Sequence, residues 1–383
     1  MTGACHLKAL GPKVLSSLRG SPGRWWLVIA VVVAALLAFP QTMSSPYGLH
    51  LMILLFLSVA MGESWNVIGG YCGQYSVGHA AYFGVGSYAT LMLLQYKHVA
   101  PWWGVWGALV AALVVSLLIG TICFRLRGPY FVLASIAVAE IIRLIVLNWK
   151  PFTNGAEGIL LADIPALKLG DRVITDWLSK TPFYYLGLAL ALTTLLVNYL
   201  VQHSKLGYYL QAIREDQDAA HSLGINLSLY KNVALAISAL FTALSGIFYG
   251  LYIGFIDPPS VLGVDLSVQM VLICIIGGIG TNFGPVVGAL VLVPLSEALR
   301  ANILTKLLFA AGVVKESSAV GGFLKENLAH AHVLIYGILV VVVILFMPDG
   351  VLGFTKKLVA RGARQLSAAP QPLVGGLRGP TGD

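Results

Sequence analysis

The sequence predicts an all-α, polytopic integral membrane protein with about ten transmembrane or re-entrant helices. Hydrophobic residues make up 58% of its 383 residues and charged residues only 10%, against about 25% charged residues in soluble domains. The apolar residues fall in runs of about 20, the length at which a helix crosses a bilayer. A single soluble core cannot hide this much apolar surface. The net charge of +8 is therefore expected to mark the cytoplasmic side of a membrane, not a nucleic-acid partner.

Ten apolar segments are predicted to form the spans, and the eighth and ninth are short enough to form a broken pair. They cover residues 25–40, 47–68, 77–97, 102–124, 130–149, 183–202, 233–256, 265–280, 284–299 and 332–347.

The positions of lysine and arginine predict which ends of the spans face the cytoplasm. The short segments on one side are consistently basic, as the positive-inside tendency requires. They hold Lys8, Lys13, Arg19 and Arg24 before span 1, Arg125 and Arg127 after span 4, Lys205, Arg214 and Lys231 between spans 6 and 7, and Lys356, Lys357, Arg361 and Arg364 after span 10. The predicted divisions are a cytoplasmic N-terminus at 1–24, a transmembrane domain at 25–350 and a cytoplasmic tail at 351–383 with a disordered end. Within the transmembrane domain, 203–232 is a cytoplasmic loop, and 150–182 and 300–330 are external.

A polar, glycine-rich stretch interrupts the apolar sequence at residues 73–88. It carries Gln74, Ser76, His79 and Tyr82. An unpaired polar group in lipid costs several kcal/mol, so these side chains must face protein or water. The spacing of Ser76, Ala80 and Gly84 predicts a stripe of small residues on one helix face. Two interpretations stay open, namely interhelical packing with hydrogen bonds, or a polar patch on a translocation path.

A second glycine cluster lies at residues 277–288. Gly280, Gly284 and Gly288 recur every four residues. Pro285 would break a continuous helix, and Thr281 and Asn282 suit a turn or a helix cap. One glycine-interrupted segment in each half of the chain is typical of internally repeated transporters. A simple turn between two spans is the alternative.

Three charged residues lie inside predicted spans. Glu63 is in span 2, within one turn of Asn66, and can bond there locally. Glu140 and Arg143 in span 5 are three residues apart, so they share a helix face and can pair. A structural pair and a proton relay are both compatible with this pattern.

The inside loop between spans 6 and 7 is too long for a simple turn. Its part from Glu215 to Leu223 predicts a short helix, with acidic residues early and Gly224 as its end. It is either an amphipathic surface helix or a helix that docks into a partner.

Catalytic patterns are missing from the sequence, which favours transport over an enzyme. There is no GxxxxGK[ST] phosphate loop, no HExxH and no GxSxG. We predict no catalytic residue and no metal site in this chain. The candidates for the substrate pathway are Gln74, Ser76, His79, Tyr82, Thr281 and Asn282. An autonomous secondary transporter that uses Glu63, Glu140 or Arg143, and an assembly subunit without a pathway, are the alternatives.

Several motifs resemble those of a known family. Residues 218–224, Asp-Ala-Ala-His-Ser-Leu-Gly, are similar to the Glu-Ala-Ala–three residues–Gly pattern of ABC importer permeases, with Asp in place of Glu. The flanks 212–216 and 224–231 resemble the branched-chain amino acid permease family, specifically its LivM-type subunit. The same holds for residues 73–84, 153–158, 277–281 and 346–353. The resemblance covers residues 45–355.

This resemblance implies an all-helical importer permease for branched-chain or other hydrophobic amino acids in the bacterial inner membrane, with both termini cytoplasmic. Urea or short-chain amides are the alternative cargo within the family. The implied partners are a second, LivH-like permease subunit, two cytoplasmic ATPase subunits and a periplasmic substrate-binding protein. ATP and Mg would be held by the ATPases, with no cofactor in this chain. The residues implied in ATPase coupling are Asp218, Ala219, Ala220 and Gly224, flanked by Arg214, Glu215 and Asp216.

Overall fold

The computed structural model describes residues 22–42, 45–97, 101–161, 167–169, 172–175, 179–300 and 350–353, with residues 337 and 341. The predicted fold class is confirmed, because these residues are mainly helical. Six helices among them are long and apolar enough to cross a membrane. The predicted N-terminus 1–24, external segment 300–330, span 332–347 and tail 351–383 lie almost entirely outside the described residues.

The helices follow the predicted spans closely. They are α1 (Pro22–Thr42), α2 (Pro46–Asn66) continued by a π turn (Val67–Tyr71), α3 (His79–Lys97), α4 (Pro101–Cys123), α5 (Pro129–Asn148), α6 (Lys150–Thr153), α7 (Lys180–Gln202), α8 (Lys205–Glu215), α9 (Gln217–Ser222), α10 (Leu227–Ile253), α11 (Pro258–Leu262), α12 (Val264–Gly277) and α13 (Gly284–Arg300). The largest difference is at α10, predicted to begin at 233. It begins at Leu227 because the Asn226 side chain accepts a hydrogen bond from the Leu229 backbone N–H and caps the helix.

A 3-10 turn (Gly155–Glu157) and three short strands lie in the predicted external segment 150–182, and a fourth strand follows α10. The strands are β1 (Ile159–Leu160), β2 (Leu167–Leu169), β3 (Arg172–Thr175) and β4 (Phe255–Ile256). β1 pairs with β4 and β2 with β3, both antiparallel. Apolar periodicity does not reveal strands of two to four residues, so the sequence did not predict them.

The chain divides into two compact units, of which the first contains residues 1–53 and 166–189. Within it, the first turns of α7 pack on α1. The Tyr184 hydroxyl donates to the Leu36 carbonyl (2.7 Å), and the Tyr184 ring stacks on Phe39.

The second unit contains residues 54–165 and 190–383, and α10 is at its centre. α10 packs most extensively against α3 and α4. Two glycines allow the close approach to α3. A Cβ at Gly86 would collide with the Ala243 backbone, and one at Gly246 would collide with the Phe83 backbone. Small residues at such contacts are typical of helices packed in membranes.

α12 and α13 are each shorter than a full span of about 20 residues, with 14 and 17 residues. α11 leads directly into α12, and the two together, Pro258–Gly277, form one of the six candidate spans. α12 and α13 pack against each other at Gly277 and Gly288. An added Cβ at Gly277 would collide with the Gly284 backbone, and one at Gly288 would collide with the Ile273 backbone. Pro285 lies at the start of α13, where the missing backbone N–H costs little. The prediction that Pro285 interrupts a continuous helix is confirmed.

One detail of the sequence interpretation was wrong. Ser76 does not share a helix face with Ala80 and Gly84, because α3 begins only at His79. The backbone from 73 to 78 is a loop that starts at Gly73, with φ of 69°.

We expect Gly246→Ala to lower the thermal stability of the detergent-solubilised protein, since the new methyl group pushes α10 away from α3. Such overpacking typically costs about 1–3 kcal/mol. Gly104→Ala in α4 is the matched control, because its nearest neighbour, a Thr90 methyl carbon, would lie at 3.7 Å. Size-exclusion chromatography after heating measures both variants. Equal melting temperatures would contradict the close packing.

Candidate functional site

Two interruptions of the helices lie side by side in the second unit. The first consists of the π turn 67–71 and the loop 72–78, and the second is the turn 278–283 between α12 and α13. Asn66 joins them: its Nδ2 donates to the Thr281 carbonyl (3.0 Å), and its Oδ1 accepts from the Gly280 backbone N–H (2.9 Å). Both amide functions of Asn66 thus replace hydrogen bonds that the broken helices cannot supply.

Arg214, at the end of α8, reaches the same place. Its Nη1 donates to the Gly70 carbonyl in the π turn (2.7 Å). An added Cβ at Gly280 would collide with the same Nη1, so the guanidinium lies against both interruptions. We call the set Asn66, Gly70, Arg214, Gly280 and Thr281 the junction. The sequence interpretation placed Arg214 at the rim of a partner contact, whereas its guanidinium is turned toward the spans.

The loop 72–78 takes its other hydrogen bonds from three helices. Trp65 Nε1 of α2 donates to the Ser76 carbonyl (2.7 Å). The Val77 backbone N–H donates to Ser135 Oγ of α5 (3.1 Å), and the Ala80 backbone N–H donates to Ser267 Oγ of α12 (2.8 Å). Bonds to three helices thus hold the loop and the first turn of α3, in addition to the bonds within the loop itself.

His79 forms a buried chain of hydrogen bonds with three serines. Ser238 Oγ of α10 donates its single proton to the Ser64 carbonyl (2.6 Å), so His79 Nε2 must donate to Ser238 Oγ (2.8 Å). His79 Nδ1 lies 3.1 Å from Ser76 Oγ, at hydrogen-bond distance. The bond to Ser238 places a proton on Nε2. The Tyr82 ring meets this imidazole edge to face.

The other pathway candidates are also buried or half-buried. Gln74 is buried, and its Nε2 donates to the Cys72 carbonyl (3.4 Å). Thr281 Oγ1 donates to the Gly278 carbonyl (2.8 Å). Asn282 is half-buried, and its Oδ1 has no hydrogen-bond partner. The structure brings all six candidates to the two interruptions and their flanks. Their role as a pathway stays a prediction.

All three charged residues predicted within the spans have partners, but the sequence predicted only the partners of Glu140 and Arg143. Glu63 is fully buried and pairs with Asn198 of α7, whose Nδ2 donates to the Glu63 carbonyl (2.8 Å) and to its carboxylate. The predicted local bond to Asn66 is absent, because Asn66 is used at the junction. Asn198 was missed, although an asparagine within the apolar run 183–202 is a signal for it. Glu140 and Arg143 of α5 form the predicted pair.

The predicted inside loop contains two helices, α8 and α9, where one short helix from 215 to 223 was predicted. Asp216 separates them in an extended conformation and caps α9, since its Oδ1 accepts from the backbone N–H groups of Asp218 (2.8 Å) and Ala219 (3.0 Å). Gly224 ends α9 as predicted, with φ of 84°. Of the α9 residues, Ala220 is buried. Leu223, the residue after α9, is 81% exposed.

We expect Ser238→Ala to destabilise the protein more than Ser245→Ala, although both serines are buried on α10. Losing Ser238 leaves the buried His79 Nε2–H without an acceptor, which costs about 1–3 kcal/mol. Ser245 Oγ donates only to the Phe241 carbonyl of its own helix, so its loss breaks no interhelical bond. Thermal unfolding in detergent measures the difference. Equal losses would argue against the chain of bonds around His79.

Comparisons with known proteins agree with the geometry. Residues 47–345 match the family model described as a branched-chain amino acid transport system permease component. The chain is 27% identical to the high-affinity branched-chain amino acid transport system permease protein LivM of Escherichia coli (strain K12), over 76% of this chain and 72% of that protein. It is 24% identical to LivH of the same strain, over 67% and 88%. It is 27% identical to the autoinducer 2 import system permease protein LsrC of Photorhabdus luminescens, over 32% and 38%.

No solved structure matches the chain. The match over most of the chain confirms the resemblance seen in the motifs, and the relatives are transport subunits rather than ATPases. The chain therefore belongs to the branched-chain amino acid permease family of ABC transporters, as a multi-pass membrane subunit.

Proposed function

We propose that this permease subunit imports branched-chain or other hydrophobic amino acids, driven by ATPase subunits that dock on α9. The observation that carries the proposal is that α9 directly follows α8, whose Arg214 lies at the junction. The far end of α9 presents the exposed Leu223, and Arg214, two residues before its cap, bonds to Gly70. An exposed apolar side chain at the end of a capped helix is suited to bind in a hydrophobic groove of a partner.

The junction supplies a route for movement from α9 into the membrane. A displacement of α8 and α9 would move the π turn, because Arg214 bonds to the Gly70 carbonyl. It would also move the turn at Gly280, because Gly280 bonds to Asn66 at the start of the π turn. Both interruptions would then move together. ATP binding on the partner chains would shift the population between inward-open and outward-open states. Glu215 and Asp216 flank α9 and are proposed to contact the rim of the ATPase socket.

The partners and location follow from the family. The proposed assembly contains a LivH-like second permease subunit, two cytoplasmic ATPases that hold ATP and Mg, and a periplasmic binding protein that delivers the solute. This chain would lie in the bacterial inner membrane with the α8–α9 loop and both termini in the cytoplasm, in line with the basic inside segments. No cofactor is proposed for this chain itself.

The proposed cargo has a charged amino acid backbone and an apolar side chain. A path for it needs a few polar groups in an apolar wall, which the residues around Gln74 and Tyr82 can supply once the helices move. Urea or a short-chain amide is the alternative cargo in the same family. The relative LsrC is named for autoinducer 2 import, so permeases similar to this chain differ in cargo.

An autonomous secondary transporter has less support. Glu63 is bonded to Asn198, and Glu140 is bonded to Arg143, so neither carboxylate is without a partner. The capped helix α9 would have no purpose in such a carrier.

We expect Gly224→Pro to abolish ATP-driven uptake in reconstituted vesicles while membrane insertion persists. Proline cannot adopt the φ of 84° at this position, and the bond from the Gly224 N–H to the His221 carbonyl is lost. Gly254→Pro is the matched control, with φ of 73° and an N–H donated to the Gly250 carbonyl. Normal uptake by Gly224→Pro, or an equal loss in the control, would count against coupling at α9.

We expect Arg214→Ala to lower the solute transported per ATP hydrolysed by about tenfold, since a charge-assisted hydrogen bond contributes about 1.5–3 kcal/mol. The ATPase subunits should still co-purify with this variant. Arg125→Ala, at an exposed arginine in the turn after α4, is the control and should transport normally. Unchanged transport stoichiometry in Arg214→Ala would remove Arg214 from the proposed route.

A further inference from the structure

One face of α5 is not covered by the described part of this chain, and it differs from other exposed helix faces. α5 buries Phe131, Ser135 and Ala139 against its neighbours, which include α3, α4 and α11. Its outer positions are apolar and open, with Leu133 at 63% and Ile141 at 55% exposure. On composition alone, this face would suit lipid.

The ion pair at the edge of this face does not suit lipid. Arg143 Nε donates to Glu140 Oε2 (2.8 Å), and Arg143 Nη2 donates to Oε1. The side chains remain 23% exposed at Arg143 and 37% exposed at Glu140. Two of the five guanidinium N–H donors are thus used inside this chain, and the others need acceptors. Hydrocarbon has none to offer.

The pair also lies deep in the helix. Asn148, the last residue of α5, is eight positions after Glu140, which places Glu140 about 12 Å from that end at 1.5 Å per residue. A lone arginine near a helix end usually extends its side chain to the membrane surface. Arg143 instead bonds backward to Glu140, toward the middle of the helix and away from its nearer end.

The neighbouring helix α4 shows the contrast. Its outer face is equally exposed, with Val110 at 61% and Leu118 at 58%, but residues 101–123 contain no charged side chain. This is the composition of a face that meets lipid. The difference between two adjacent, equally exposed helices indicates that α5 meets something more polar than hydrocarbon.

A span of this same chain is a poor match for the pair. The predicted span 332–347 has no charged side chain, and its polar residues are His332 at one end and Tyr336. Neither the carboxylate nor the remaining guanidinium donors would find several partners there. The occupant must present several hydrogen-bonding groups at the depth of Glu140.

We propose that the outer face of α5, with Ile141 at its centre and the Glu140–Arg143 pair at its edge, is the contact surface for the second permease subunit. This inference rests on the proposed function, which supplies a second membrane-embedded chain. That chain would place polar side chains, with water trapped between them, against the free guanidinium donors. Its apolar residues would cover Leu133 and Ile141. Charge at a helix contact fixes register and partner choice more than it adds stability.

Site-specific photo-crosslinking in the purified complete transporter tests this directly. A benzoylphenylalanine placed at Ile141 should crosslink to the second permease subunit, identified by mass spectrometry. The same probe at Val110 of α4, which is at least as exposed, should label lipid or detergent instead. Crosslinks from Ile141 only to lipid, or only to residues 332–347 of its own chain, would overturn the inference.

Charge variants give an independent measurement. Glu140→Leu alone leaves Arg143 unpaired, and we expect at least a fivefold loss of second permease subunit in the purified complex. Glu140→Leu with Arg143→Leu should recover more of it, and the exchanged pair Glu140→Arg with Arg143→Glu should retain most. Equal recovery in all three variants and the wild type would overturn the inference. Absence of any second permease subunit from the wild-type complex would instead refute the proposed function on which the inference rests.

Discussion

Every backbone N–H and carbonyl inside a membrane needs a partner within the protein, and this requirement organises the second unit. An unpaired group in hydrocarbon costs several kcal/mol, yet the chain interrupts its helices at 67–78 and at 278–283. The exposed backbone is satisfied by side chains from elsewhere in the sequence. Asn66 bonds the turn at Gly280 and Thr281, and Arg214 bonds the carbonyl of Gly70. These bonds therefore hold the two interruptions to each other and to α8.

The same bonds connect parts of the chain with different proposed roles. Arg214 belongs to α8, which leads into the capped helix α9, whereas Gly70 and Gly280 belong to the interruptions. A strained or broken helix that is held by distant side chains can adopt a second arrangement when those side chains move. In the proposed importer, this is how force made on the ATPase subunits reaches the spans. The buried hydrogen bonds from Ser64 through Ser238 to His79 link α2, α10 and α3 to one another.

Hydropathy predicted most of the helices because each span must be apolar along its full length. It placed α3, α4, α5 and α13 within two residues of their bounds at both ends. It missed the start of α10, which Asn226 sets through a side-chain cap. In the loop before α10 the sequence predicted one helix from 215 to 223, close to α9, which Asp216 caps in the same way, but it did not predict α8. Asn and Asp side chains form hydrogen bonds with nearby backbone groups, and these bonds leave no trace in the hydrophobic periodicity.

The Glu140–Arg143 pair was predictable from spacing alone. The partners of Glu63, Asn66 and His79 were not, because Asn198, Thr281 and Ser238 are more than a hundred residues away in the sequence. Sequence spacing constrains only contacts within a helix. Arg214 is a further example. The contact with a partner chain that its motif implied stays a prediction, and its bond to Gly70 within the chain was not predictable from the sequence.

Hydrogen exchange in the complete transporter tests the central claim most directly, with the amides of residues 67–78, 216–224 and 278–284 followed together. The account predicts that ATP changes exchange in all three segments. In Arg214→Ala the change at 216–224 should persist while the changes at both interruptions are lost. An ATP response at 67–78 and 278–284 that survives in Arg214→Ala, or no response there during active uptake, would contradict it.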